Sequence, residues 1–217
     1  YSYRDFDMIC VGVRSTFALV INKRLPVNSV GELLEYMRTH PKQVRWPMSF
    51  GAMSHFGYLY VVGGYKGSEP LEPKVVSNTG DKERLLALIS DNADASPNGI
   101  SSVLPYVKSG DIKALAVLSE ERNPFLPDVP TMKEQGFDVT YNQIFTLFGP
   151  KGMPAEVKKT LADAFQKALA EPAVKTALAG LCCEPYFLGP EEGAKLWKIQ
   201  EDKNNELVSR FKLLENK

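Results

Sequence analysis

A chain of 217 residues, 44% of them hydrophobic, can form one large domain or two small lobes around a real core. Its 26 Lys and Arg balance 26 Asp and Glu, which argues against a nucleic-acid surface, where a basic excess is expected. No run of 18 apolar residues exists, so no direct membrane insertion is expected.

The start, Tyr1-Ser2-Tyr3-Arg4-Asp5-Phe6, shows no signal peptide and reads as a point inside a domain. Residues 9–13 and 17–21 are apolar, β-branched runs, either two strand segments or one bent strand. A turn at 25–27 leads to Ser29, which with Glu32 forms a capping box for a helix over 30–39. Val30, Leu33, Leu34 and Met37 share one face of it, and Pro41 ends it. Residues 43–46 read as a strand and 56–64 as a helix stopped by glycine. Between them lies the loop Ser49-Phe50-Gly51-Ala52-Met53-Ser54-His55, with Ser54 placed to cap the helix. After a loop over 66–74, residues 75–76 form a brief strand and Thr79-Gly80 a second junction. A helix over 81–89 follows, with Leu85, Leu86, Leu88 and Ile89 as its apolar face. Residues 93–96 are a short strand, Pro97-Asn98-Gly99 a third junction, 100–109 a helix stopped by Gly110, and 112–118 a clear strand. Beyond a loop with three prolines over 119–130 come a short helix, 132–135, capped by Thr131, and an extended stretch over 139–148. Helices over 155–170 (face Val157, Leu161, Phe165, Leu169), 172–181 and 191–214 make the tail beyond Pro150 all helical.

Strand alternating with helix predicts an α/β fold with a mainly parallel sheet. Ligands in such folds sit outside the carboxyl ends of the strands. The first amides of each following helix lack internal partners, so three junctions of one kind suit a small anion such as a carboxylate. The candidate ligand-binding residues are Ser49, Phe50, Gly51, Ala52, Ser54, His55, Thr79, Gly80, Asn98 and Gly99. An enzyme would use Ser49 or Ser54 as nucleophile with His55 as base, but no oriented acid partner is visible. No catalytic residue, metal or cofactor is therefore expected, and His55 reads as a buttress of its loop. Cys182 and Cys183 are adjacent and Cys10 is far away, so all three read as packing residues.

Several stretches taken together resemble a known family. They are Val20-Ile21-Asn22-Lys23-Arg24-Leu25-Pro26-Val27 before a capped helix, the loop from Ser49 to His55, and Asp94-Ala95-Ser96-Pro97-Asn98. The most specific runs from Leu104-Pro105-Tyr106-Val107-Lys108-Ser109-Gly110-Asp111 to Val117, followed by Arg122-Asn123-Pro124-Phe125-Leu126-Pro127 and Phe148-Gly149-Pro150-Lys151-Gly152-Met153-Pro154. The chain is similar, from about Asp5 onward, to the periplasmic substrate-binding proteins of tripartite tricarboxylate transporters, the Bug family.

That resemblance implies a type II-like periplasmic binding fold of two lobes, with helices on both faces of the sheet and a ligand in the cleft. Residues 18–143 would be a complete second lobe. Residues 1–17 and 144–217 would be the remainder of the first, most of which, with its carboxylate-binding glycine loop, would precede Tyr1. Partners would be a small organic acid and membrane transporter subunits. The alternatives are a sensor binding protein without a transport role and the effector domain of a LysR-like regulator, against which the C-terminal helices count. Departures from the family pattern are Asn78-Thr79-Gly80 in place of an aromatic-basic-glycine element, neutral Asn98 in place of an aspartate, and the bulkier Phe50 and Met53. Together these point to a non-amino organic acid, because Asn98 gives an ammonium group no charge.

Overall fold

A computed structural model describes residues 2–67, 71–77 and 80–211 of the chain. They form two compact units, Tyr1–Ser15 with Gln143–Lys217 and Thr16–Asn142. The long strand β1 (Phe6–Asn22) contributes residues 6–15 to one unit and 16–22 to the other.

In the unit Thr16–Asn142, α1 (Val30–Thr39) buries the expected stripe of Val30, Leu33, Leu34 and Met37. Ser29 caps it by accepting from the Glu32 amide at 3.1 Å. The capping box does not close as expected: the Glu32 carboxylate accepts from the Asn28 amide at 2.7 Å. β2 (Arg45–Met48) runs parallel to β3 (Lys74–Ser77), with α2 (Met53–Gly63) between them in sequence. α3 (Asp81–Ile89), β4 (Ala95–Gly99), α4 (Ile100–Ser109) and β5 (Ile112–Val117) complete the alternation. Arg45 ties β2 to the approach of β4, its Nη2 and Nε donating to Asp94 at 2.6 and 3.0 Å. In return the Asp94 amide donates to the Arg45 carbonyl at 2.8 Å.

β1 lies between β4 and β5 and is antiparallel to both, so β4 and β5 point the same way and only the strand between them is reversed. Its partners are consecutive in space but distant in sequence, so alternation of elements could not show its direction. Leu19, Val20, Ile21, Trp46, Leu88, Ile100 and Val117 are all buried at the centre of this unit. Trp46 meets Tyr58 edge-on at 5.1 Å, a favoured aromatic geometry.

Two local expectations change here. Pro97-Asn98-Gly99 is strand, not loop, because Leu19, Ala18 and Phe17 of β1 pair with it. On α3, Leu86 is 60% exposed, and the buried stripe is Arg84, Leu85 and Leu88.

The other unit contains β6 (Asn142–Pro150), most of it, then α5 (Ala155–Ala170), α6 (Pro172–Gly180), β7 (Cys183–Leu188) and α7 (Pro190–Arg210). The tail is thus not all helical: β7 pairs antiparallel with β1, from Val11 opposite Leu188 to Ser15 opposite Cys183. Its sequence, Cys-Glu-Pro-Tyr-Phe-Leu, lacks clean alternation, and a proline inside it hid the strand. α5 has its expected limits, but of its expected face only Leu169 is buried: Val157, Leu161 and Phe165 are 44%, 39% and 38% exposed, and Ala162 is buried beside it. A helical period identifies an apolar stripe but not how much of it is covered. Ile9, Cys10 and Ala162 form this unit's small core, with Leu147, Met153 and Phe187 against it. Cys10 and Cys182 are buried and Cys183 is half-buried, so Cys183 is a partial exception to the packing assignment. Burial pushes the Cys10 thiol above its ordinary range, as suits a packing residue.

Candidate functional site

The first junction is a closed turn. Gly51 has φ 78°, a left-handed conformation that L side chains rarely adopt. That turn aims its amide at His55 Nδ1, 3.1 Å away. Nδ1 is therefore the acceptor, and the neutral ring carries its proton on Nε2. His55 is buried, and that burial holds its pKa below the ordinary value, so the ring stays neutral. Phe50 stands edge-on to it at 5.0 Å, with 73% of its own surface exposed.

Ser54 does not cap the helix. α2 starts at Met53 with Ala52 as N-cap, and Ser54, already inside the first turn, accepts from the Ser49 amide at 3.1 Å. The Ala52 amide donates to the Ser49 carbonyl at 3.1 Å. The amides of Ser49, Gly51 and Ala52 thus hold the loop together and are not aimed at a ligand, contrary to the sequence expectation. What the helix start offers instead is the amides of Met53 and Ser54, which precede the first intrahelical bonds.

Gly80 is the N-cap of α3, and its amide donates to the Glu83 carboxylate at 3.2 Å. Thr79, the other residue expected at this junction, lies outside the described residues. Gly99 is the N-cap of α4, and Asn98 before it is wholly buried.

The second and third junctions meet at one carboxylate oxygen. Asp81 Oδ1 accepts from Asn98 Nδ2 at 3.0 Å and from Arg84 Nη2 at 2.7 Å. Both neighbours are deeply buried, Asn98 at 0% and Arg84 at 8% exposure, and each keeps one polar atom without a partner: Asn98 Oδ1 and Arg84 Nε. A third such atom is Thr16 Oγ1. Thr16 is two residues before Ala18, which pairs with Asn98, so Thr16 and Asn98 share one face of the sheet. An unpaired buried polar group costs about 1–3 kcal/mol, so three of them in one region mark a place prepared for something other than packing.

The first junction reaches the same region through Tyr141. Its hydroxyl donates to the Met53 carbonyl at 3.0 Å, and its ring stacks on Phe17 at 5.2 Å and lies 4.7 Å from Tyr60. Burial pushes the Tyr141 hydroxyl well above its ordinary pKa, the Tyr60 hydroxyl adds to the rise, and the positive charge of Arg84 opposes it. Gly57 of α2 lies against Pro97 of β4, where a Cβ would come within 2.7 Å of the proline ring. Of these residues, sequence reasoning had singled out Asn98 and Gly80 but not Thr16, Asp81, Arg84 or Tyr141. For Arg84 a signal was present: positions 81, 84, 85 and 88 form one helical stripe.

No nucleophile–base–acid set occurs at this site, and among the described residues no group of His, Cys, Asp or Glu could hold a metal ion. Nor is any described helix long and apolar enough to cross a membrane.

Residues 1–213 match the model of the tripartite tricarboxylate transporter family receptor. The chain is 24% identical over 211 residues to the UPF0065 protein of the gbd 5' region of Cupriavidus necator, covering 97% of this chain and 63% of that protein. It is 26% identical over 185 residues to the protein BugT of Bordetella pertussis, covering 80% of this chain and 53% of BugT. The chain thus spans between about half and two thirds of the length of these relatives. Among solved structures, the periplasmic binding protein BugD superposes with a TM-score of 0.75 at 26% identity, over 94% of this chain and 69% of BugD. MatC from Rhodopseudomonas palustris with bound malate gives 0.70 at 26% identity, over 94% and 68%. With an α/β fold shared with periplasmic binding proteins and a family match over nearly its whole length, the chain belongs to the tripartite tricarboxylate transporter receptor family.

Proposed function

We propose that this chain is part of a periplasmic solute-binding protein that captures a small organic carboxylate and delivers it to the membrane subunits of a tripartite tricarboxylate-type transporter. Residues 18–143 serve as its second lobe, and residues 1–17 with 144–217 belong to the first. The observation that carries this reading is the meeting of buried Arg84 and Asn98 on Asp81 at the start of α3, in the unit Thr16–Asn142. A buried guanidinium that keeps an unpartnered Nε–H is an anion-recognition group, and the family assignment and the malate bound to MatC agree with it. The structure changes the argument about ammonium groups. An acidic side chain does stand beside Asn98, namely Asp81, but Arg84 already neutralises it, so a non-amino acid remains the better ligand.

A thermal-shift screen of mono- and dicarboxylic acids on the whole protein tests the proposal. A ligand at 100 times its Kd adds about 2.7 kcal/mol to stability, which is a readily measured rise in melting temperature. Stabilisation by amino acids or sugars, with none by their carboxylate counterparts, would overturn it.

A further inference from the structure

The three unpartnered atoms differ in what they require. Arg84 Nε is a donor and needs an acceptor, whereas Asn98 Oδ1 is an acceptor and needs a donor. The amide cannot simply be turned round, because Nδ2 is held by Asp81 Oδ1 at 3.0 Å, and a flip would set oxygen against a carboxylate. Asp81 also holds Arg84 at 2.7 Å through Nη2, which fixes the guanidinium and leaves Nε for another partner. Both atoms therefore belong to groups bonded to a single carboxylate oxygen. Thr16 Oγ1, on the Asn98 side of the sheet, can donate or accept.

Resting on the carboxylate-binding reading above, we infer that the ligand is a hydroxy acid: its carboxylate accepts from Arg84 Nε, and its neighbouring hydroxyl donates to Asn98 Oδ1. Asp81 is the positioning residue that orients both. A ligand ammonium group could also donate to Asn98 Oδ1, but the Asp81–Arg84 pair beside it carries no net negative charge to balance it. A deoxy acid would leave Asn98 Oδ1 buried and unpaired. Sites that hydrogen-bond a ligand hydroxyl discriminate strongly against analogues lacking it for this reason.

The test is calorimetry on the whole protein with paired probes: malate and succinate, 2-hydroxyadipate and adipate, and aspartate as the amino analogue. In at least one pair the hydroxy acid binds about tenfold or more tightly than its deoxy partner, and aspartate binds more weakly than malate. Asn98→Leu reduces the hydroxy-to-deoxy ratio toward one. That ratio is unaffected by a partly unfolded sample, so it separates recognition from stability. Arg84→Gln and Arg84→Lys both lose about tenfold or more for every acid, the lysine variant because its point charge lacks the Nε–H fork. Equal affinities within each pair, tighter binding of aspartate, or an unchanged ratio in Asn98→Leu would overturn the inference while leaving the carboxylate-binding function standing. Failure of every acid to bind the unaltered protein would overturn both.

Discussion

His55 shows how one side chain sets the character of the first junction. Its Nδ1 takes the Gly51 amide, and its burial keeps the ring neutral. A protonated imidazole would present a donor to that amide and break the turn. The unfolded chain takes up this proton near pH 6.5, whereas the folded protein resists it to a lower pH. The unfolded state then binds more protons across that window, so stability rises with pH through it and is lost as pH falls from about 6.5 toward the depressed native value. We expect His55→Asn, whose side-chain oxygen can still accept from Gly51, to flatten this pH slope in melting experiments while keeping most ligand affinity. His55→Leu should flatten the slope and also lose affinity, because the Gly51 amide is left unpaired. A slope unchanged in both variants would show that another group titrates there.

At the scale of elements, α2 packs closely on β4 in the unit Thr16–Asn142, where Gly57 faces Pro97. Glycine inside a helix costs about 0.5–1 kcal/mol relative to alanine, so replacing it would normally help. Here the new Cβ meets a rigid ring at 2.7 Å, and overpacking costs about 1–3 kcal/mol. The clash wins, and Gly57→Ala is expected to destabilise the protein by about 1 kcal/mol in denaturant unfolding. It should also weaken ligand binding, because α2 and β4 carry the first and third junctions. At the start of α1, Ser29→Ala removes the acceptor for the Glu32 amide and should cost about 0.5–2 kcal/mol. An unchanged midpoint in that variant would mean that the Glu32 carboxylate, bound to Asn28, holds the turn alone.

Across the whole molecule, burial is uneven. The unit Thr16–Asn142 encloses β1 between two strands and buries Trp46, Leu33, Leu34, Leu59 and Leu88. In the unit Tyr1–Ser15 with Gln143–Lys217, α6 has no buried residue, and α5 leaves most of its apolar stripe half-exposed. Local opening is least costly where few apolar contacts must be broken. For this chain as given, hydrogen exchange followed by mass spectrometry should show residues 17–21, 95–99 and 112–117 as the last to exchange and α6 as among the first. Equal protection in both regions would contradict the burial pattern.

Sequence alone determined much of what rests on neighbours along the chain. The limits of α1, α3, α4 and α5 follow from period and caps, the alternation of strand and helix gives the α/β class, and the chained motifs give the family. Asn98 and the loop at 49–55 stood out in the sequence because glycine, serine and asparagine at strand ends favour turns and local hydrogen bonds, but the structure closes that loop on itself. Tertiary structure decided what depends on the residues placed opposite. Pairing with β1 made residues 97–99 a strand and created β7 from a stretch without alternation. Above all the fold buried Arg84 beside Asn98 through a shared bond to Asp81. A charged residue on a helix is read as solvated from sequence, since most are. The carboxylate that pairs with it, Asp81, is one turn earlier on the same helix, but only the long-range fold buries Arg84 and brings Asn98 of β4 to the same oxygen.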